Sequence, residues 1–295
     1  MTAAGDARRP SGGGRRGALL TGVLMLPASF WYLGLLIAPL VIVVIYSFGV
    51  RAKDGGYAPA FTFDNYQVVA TRFDPFLLTL GMAVAGTALC ALVAFPLAYF
   101  IATRVGRRKS LMIVLLVVPF WTSFLIRTIA WLTILGPSGI AGFLSDVTGQ
   151  DVQILGTPFS ILLGIVYNYL PLMIFPLYVT LERLDRTLLE ASKDLGAGRW
   201  ATFRQITLPI ILPGVITGSI LVFIPLMGEY VIPALLGRGK VFLVGNVLQL
   251  DFLSSRNWPA GSAKAVVLIL IMLVSVSFYV WFTNRGRRTR DVSVL

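Results

Sequence analysis

Histidine is absent from the 295 residues, and there is a single cysteine. The first absence removes imidazole as base, nucleophile or metal ligand, and the second removes any disulfide within the chain. Cys90, between Leu89 and Ala91 in an apolar run, reads as a small buried residue. Charge is scarce as well: 13% of residues are charged against 57% hydrophobic, too little polar surface for a water-soluble domain. No Gly-x-x-x-x-Gly-Lys-Ser/Thr phosphate loop occurs, so ATP hydrolysis is not expected in this chain. The apolar runs also lack a convergent set of nucleophile, base and metal ligands, so no catalysis, cofactor or metal site is expected here.

What is present is apolar sequence in span-sized pieces. Six stretches, at about 29–48, 76–101, 111–135, 159–180, 210–236 and 261–282, are each near the roughly 20 residues that cross a bilayer as a helix. The expectation is an all-α integral membrane protein with six transmembrane helices. Residues 1–26 read as a disordered basic tail, 27–284 as the six-span domain and 285–295 as a second tail. The apolar run from 18 to 50 is too long for the core of a signal peptide and lacks a small-residue cleavage site, so it is read as a retained first span after an interfacial turn at Pro27. Pro96, Pro171 and Pro176 are expected to bend or open their helices, and a short interfacial helix is expected at 140–144. Gly214 and Gly218, four apart, would let another helix approach closely.

The excess of base over acid, 25 residues to 13, has a topological reading. Basic residues concentrate in the N-terminal tail, in the Arg104–Lys109 turn, in the 182–209 loop and after Arg285, all on one side of a six-span chain. The positive-inside rule puts that side, with both termini, in the cytoplasm. The net charge is then accounted for without a nucleic acid partner.

The longest amphipathic stretch lies between the fourth and fifth spans, LERLDRTLLEASKDLGAGRWATFRQITLP from Leu181 to Pro209. Thr187 and Glu190 have capping-box spacing, and Leu184, Leu188, Ala191 and Leu195 recur on one helical face. Gly196, Ala197 and Gly198 allow a sharp turn, and Trp200, Phe203 and Ile206 or Thr207 then line a second short helix expected to stop at Pro209. A helix lying on lipid is the plainer reading, but its polar face would be basic, and here the signs are mixed.

Glu190-Ala191-Ser192, then Gly196, then Ile206-Thr207-Leu208-Pro209 resemble the EAA loop of membrane subunits of ATP-driven importers, with Ser192 where the family has alanine. Beyond the loop, PFWTSFLIR from Pro119, Tyr167 to Pro171, LVFIPLMGEYVIPALLG from Leu221 and Arg256-Asn257-Trp258-Pro259 resemble the spermidine and putrescine permeases of this class. The resemblance implies the type I importer permease fold and a bacterial cytoplasmic (inner) membrane location. It also implies a heteromeric complex: two copies of an ATPase that binds ATP and Mg, a second, dissimilar permease, and an extracytoplasmic substrate-binding protein. Glu190, Ala191, Ser192, Asp194, Gly196, Trp200 and Phe203 would then couple to the ATPase. The Arg-rich N-terminus and Gly237-Arg238-Gly239-Lys240, without the family's acidic residue, depart from the pattern. Another small solute (an amino-acid-like compound, opine, sugar or ferric iron) stays open as cargo, as does a secondary carrier.

Two charges fall inside spans. Arg127 and Glu229 would each cost about 2.5–3.5 kcal/mol facing lipid, so they are expected to pair with each other or with backbone, or to line a wet path. Trp121, Tyr167, Asn168, Tyr169 and Tyr230 are the accompanying path candidates, with Asn168 also suited to an interhelical hydrogen bond.

Overall fold

A computed structural model describes residues 14–291. Its first helix, α1 (Gly14–Ser47), passes through Pro27 and Pro39 without a break. The turn expected at Pro27 is therefore absent, and residues 14–26 of the expected tail are helical, while 1–13 lie outside the described residues. A proline costs an apolar helix one backbone bond, a loss that membrane helices tolerate.

After α1, β1 (Val50–Arg51) and β2 (Tyr57–Ala58) pair antiparallel, followed by α2 (Asp64–Thr71). Asn65 holds this cap to the end of α1, donating its side-chain amide to the carbonyls of Ser47 (3.0 Å) and Gly49 (2.9 Å).

The core is built by three helices: α3 (Asp74–Arg104), α7 (Pro158–Glu182) and α10 (Leu208–Met227). Ala83, Cys90, Ala94 and Ala98 recur at helical spacing on α3 and are buried. Small residues set the separations, as they must where lipid supplies no hydrophobic drive to pack helices. A Cβ on Gly86 would lie 2.8 Å from Ile165 Cγ2, one on Gly214 2.6 Å from the Pro176 carbonyl, and one on Gly218 2.7 Å from Met173 Sδ. The close approach expected at Gly214 and Gly218 is thus made, against α7. The last helix, α13 (Trp258–Asp291), extends beyond the expected 261–282 and packs beside α1 at the edge of this core.

Two expected spans are not single helices. The stretch 111–135 divides into α4 (Lys109–Val117), a 3₁₀ turn (Val118–Trp121) and α5 (Phe124–Leu135). Pro119 cannot donate to the turn before it, and Thr122 is extended (ψ 154°), which resets the axis. The short helix α6 (Ile140–Thr148) follows, longer than the expected 140–144. The stretch 210–236 divides at Gly228–Tyr230 into α10 and α11 (Val231–Leu236), then α12 (Val244–Gln249) folds back. Among the described residues, six segments are long and apolar enough to cross a membrane: Leu24–Ser47, Asp74–Arg104, Phe124–Thr148, Pro158–Glu182, Arg199–Met227 and Trp258–Thr283.

Candidate functional site

The polar loop forms two short helices, α8 (Arg186–Asp194) and α9 (Arg199–Thr202). The N-terminal cap of α8 is Asp185, whose carboxylate accepts from the Thr187 backbone N–H at 2.9 Å. The Thr187–Glu190 box is not formed: Thr187 already lies inside the helix, and the acid two residues earlier takes its N–H. That hydrogen bond holds the Asp185 carboxyl below its ordinary range.

At the other end the turn is made where the glycines predict it. Gly196 has φ +76°, a conformation costly for any residue with a Cβ. Its N–H donates to the Lys193 carbonyl and the Ala197 N–H to the Ser192 carbonyl, the paired bonds of a Schellman stop. Ser192 is buried and its hydroxyl lies 2.8 Å from that of Thr202, tying α8 to α9. The departure from alanine at this position therefore adds a hydrogen bond across the turn.

The apolar face divides in two. Leu184 joins the core, whereas Leu188, Leu195 (88% exposed) and Trp200 (72% exposed) stay in the open with Ala191, Glu190 and Asp194. Phe203 is half-buried, with its ring 5.5 Å from Trp200 and 5.5 Å from Phe95 of α3, so it anchors the exposed tryptophan to the core. Pro209 does not stop the second helix. A π-helical turn (Phe203–Thr207), closed by the Leu208 N–H on the Phe203 carbonyl, carries α9 into α10. The wider turn places Pro209 in the first turn of α10, where a backbone donor is not required.

Inside the membrane, Glu229 is 6% exposed and fully engaged. One carboxylate oxygen accepts from the N–H groups of Val231 (2.7 Å) and Ile232 (3.1 Å), the other from the Tyr169 hydroxyl (2.5 Å). The carboxylate thus sits on the N-terminus of α11, where backbone donors and the helix dipole favour negative charge. Gly245 of α12 meets the Glu229 carbonyl so closely that a Cβ would stand 2.5 Å from it. Asn246 donates to the Tyr230 carbonyl at 2.8 Å and clamps the break from the same side.

Arg127 does not pair with Glu229; among the described residues the only ion pairs are Lys109–Glu182 and Lys264–Asp251. Its guanidinium lies 4.6 Å from the centroid of the Phe120 ring, which is 6.1 Å from that of Tyr167. Asn168 donates to the Gly164 carbonyl (3.0 Å) and to the Thr128 hydroxyl (3.4 Å), the interhelical role expected of it. Trp121, 84% exposed, and Tyr230, 44% exposed, stand on the two helix breaks themselves. Sequence reasoning placed Tyr169 among the path candidates without its bond to Glu229, and missed Asp185, Phe120 and Asn246. Of these only Asp185 carried a signal, as an acid just ahead of an amphipathic run.

Residues 17–288 match the family described as "Binding-protein-dependent transport system inner membrane component". The chain is 36% identical over 257 residues to the spermidine/putrescine transport system permease protein PotB of Haemophilus influenzae, covering 84% of this chain and 89% of the relative. It is 35% identical over 260 residues to PotB of Escherichia coli, covering 86% and 94%. A solved bacterial ABC transporter involved in the import of the acidic polysaccharide alginate superposes with a TM-score of 0.62 at 20% identity, over 92% of this chain and 96% of that one. Its fold is the six-span type I importer permease fold expected from the sequence. The chain belongs to the binding-protein-dependent transport system inner membrane components: it is a permease subunit of an ATP-driven importer, and the ATPase resides in a partner subunit.

Proposed function

We propose that this permease moves polyamines, spermidine or putrescine, into the cytoplasm, with both its termini on the cytoplasmic side. The observation that carries the cargo assignment is the identity to PotB permeases, which extends over nearly the full length of both chains. The cargo is handed over by a separate binding protein, and two ATPase copies and a second, dissimilar permease complete the complex. The open face of Leu188, Ala191, Leu195 and Trp200 is the part of this chain that meets the ATPase. An apolar patch centred on an exposed tryptophan and rimmed by Glu190 and Asp194 has the make-up of a protein interface. Gly196 and Ser192 hold that patch in shape.

The test is uptake of labelled putrescine and spermidine by the complex reconstituted in vesicles with its own binding protein. ATP-dependent accumulation of either is expected. Accumulation of neither, with ATPase activity intact, would sink the polyamine assignment and leave the importer assignment standing.

A further inference from the structure

We propose that Arg127 is held by a carboxylate of the second permease subunit, buried in the membrane where the two subunits meet. This rests on the importer reading, which supplies the second permease. Nε and Nη1 of Arg127 are buried within this chain and donate to nothing in it, while the residue as a whole is only half-buried, so the nitrogen a partner can reach is Nη2. The residue lies in the first turn of α5, and Ser123, just ahead of that helix, makes no side-chain cap. The positive end of the helix dipole therefore adds to the guanidinium charge, and both ask for an anion.

Among the described residues no carboxylate pairs with it. Glu229, in the break that follows α10, has both oxygens engaged by Tyr169, Val231 and Ile232. The Phe120 ring gives Arg127 a cation–π contact but no hydrogen-bond acceptor. The surface around Arg127 is open and apolar, with Trp121, Leu125, Ile126 and Ile129 all about half exposed or more. Facing hydrocarbon, such a charge is expensive; facing a helix that carries Asp or Glu, it is neutralised and its reachable donor is matched. Charge complementarity thus selects the occupant of this face: a membrane helix of the partner permease with an acid at the depth of Arg127.

The experiment co-expresses the complex and recovers it through a tag on the other permease. R127Q should lower recovery of this chain by about tenfold or more, since it strands a buried carboxylate on the partner. In this chain purified alone in detergent, R127Q should move the thermal midpoint little, because the chain offers the guanidinium no acceptor and only the Phe120 ring contact is lost. Asp and Glu residues in the partner's spans are then changed one at a time to Asn or Gln. One of these, combined with R127Q, should return recovery to the unaltered level. Full recovery of R127Q by itself overturns the proposal, as does a loss that no partner substitution relieves. Normal assembly with uptake abolished also overturns it and assigns Arg127 to the cargo. Failure to recover any second permease with the unaltered chain overturns the importer reading as well, so the two failures are distinguishable.

Discussion

Tyr169 donates its phenolic hydroxyl to Glu229 across 60 residues of sequence, joining the middle of α7 to the break between α10 and α11. The carboxylate is thus the keystone of a helix interruption. E229Q should lower the yield of assembled complex while leaving polyamine uptake per complex close to normal. Y169F removes one of three donors to a buried charge and should cost about 1.5–3 kcal/mol, read as a lower denaturation midpoint of the complex in detergent. Unaltered yield of E229Q with uptake lost would instead place the carboxylate in contact with cargo.

Trp200 and Leu195 are largely exposed, so W200A and L195D should leave this chain folded and inserted. Each should weaken ATPase docking by about 2 kcal/mol or more, measured as ATPase subunit retained on the tagged permease. Retention equal to the unaltered complex for both would remove this face from the interface.

Gly196 takes a left-handed conformation with open space around its Cα, so strain alone decides the effect of a side chain there. G196V should cost the loop about 1–3 kcal/mol and misplace Trp200. Binding-protein-stimulated ATPase activity and uptake should fall together, with insertion retained. A G196V complex that couples normally would show the turn to be dispensable.

Gly214 faces the Pro176 carbonyl, which belongs to the backbone and cannot swing aside. G214V should overpack the α7–α10 contact by about 1–3 kcal/mol and reduce the membrane-inserted, protease-resistant chain. G34V, where a Cβ meets nothing within 4 Å, is the control expected to behave as the unaltered chain.

The Asp185 carboxyl is held below its ordinary range by the Thr187 N–H. Its stabilisation of α8 is fully present at neutral pH and is lost as acid carries the carboxyl through its lowered folded-state value. ATPase retention should therefore weaken on strong acidification in the unaltered complex. D185N, which caps without titrating, should flatten that limb of the profile; an identical limb in D185N would refute the assignment.

Much of the polar loop was legible in residue order because its signals are local. Glycine between two amphipathic runs specifies a left-handed stop, and Gly196 makes it. Pro209 misled because a proline stops a helix only if the turn before it is α-helical, and the π-helical turn at Phe203 shifts the register. Proline stands on either side of Glu229, at Pro225 and Pro233, where the fifth span loosens, but the Tyr169–Glu229 bond that fixes the break joins residues far apart in sequence and left no periodic trace. The hairpin at Val50–Arg51 and Tyr57–Ala58 is too short for alternation to register. Arg127 was recognisable as costly, yet its lack of an internal counter-charge emerges only once Glu229 is seen to be occupied.

The π-helical turn has one more consequence. Because it keeps the chain helical from Arg199 through to Met227, a run of 29 residues, Trp200 and the Glu229 break are opposite ends of a single rod about 40 Å long. A stiff rod delivers an axial push or a twist undiminished to its far end, so any displacement imposed on Trp200 by a docked subunit arrives at Gly228, and the flexure it demands is concentrated in the three residues that end there.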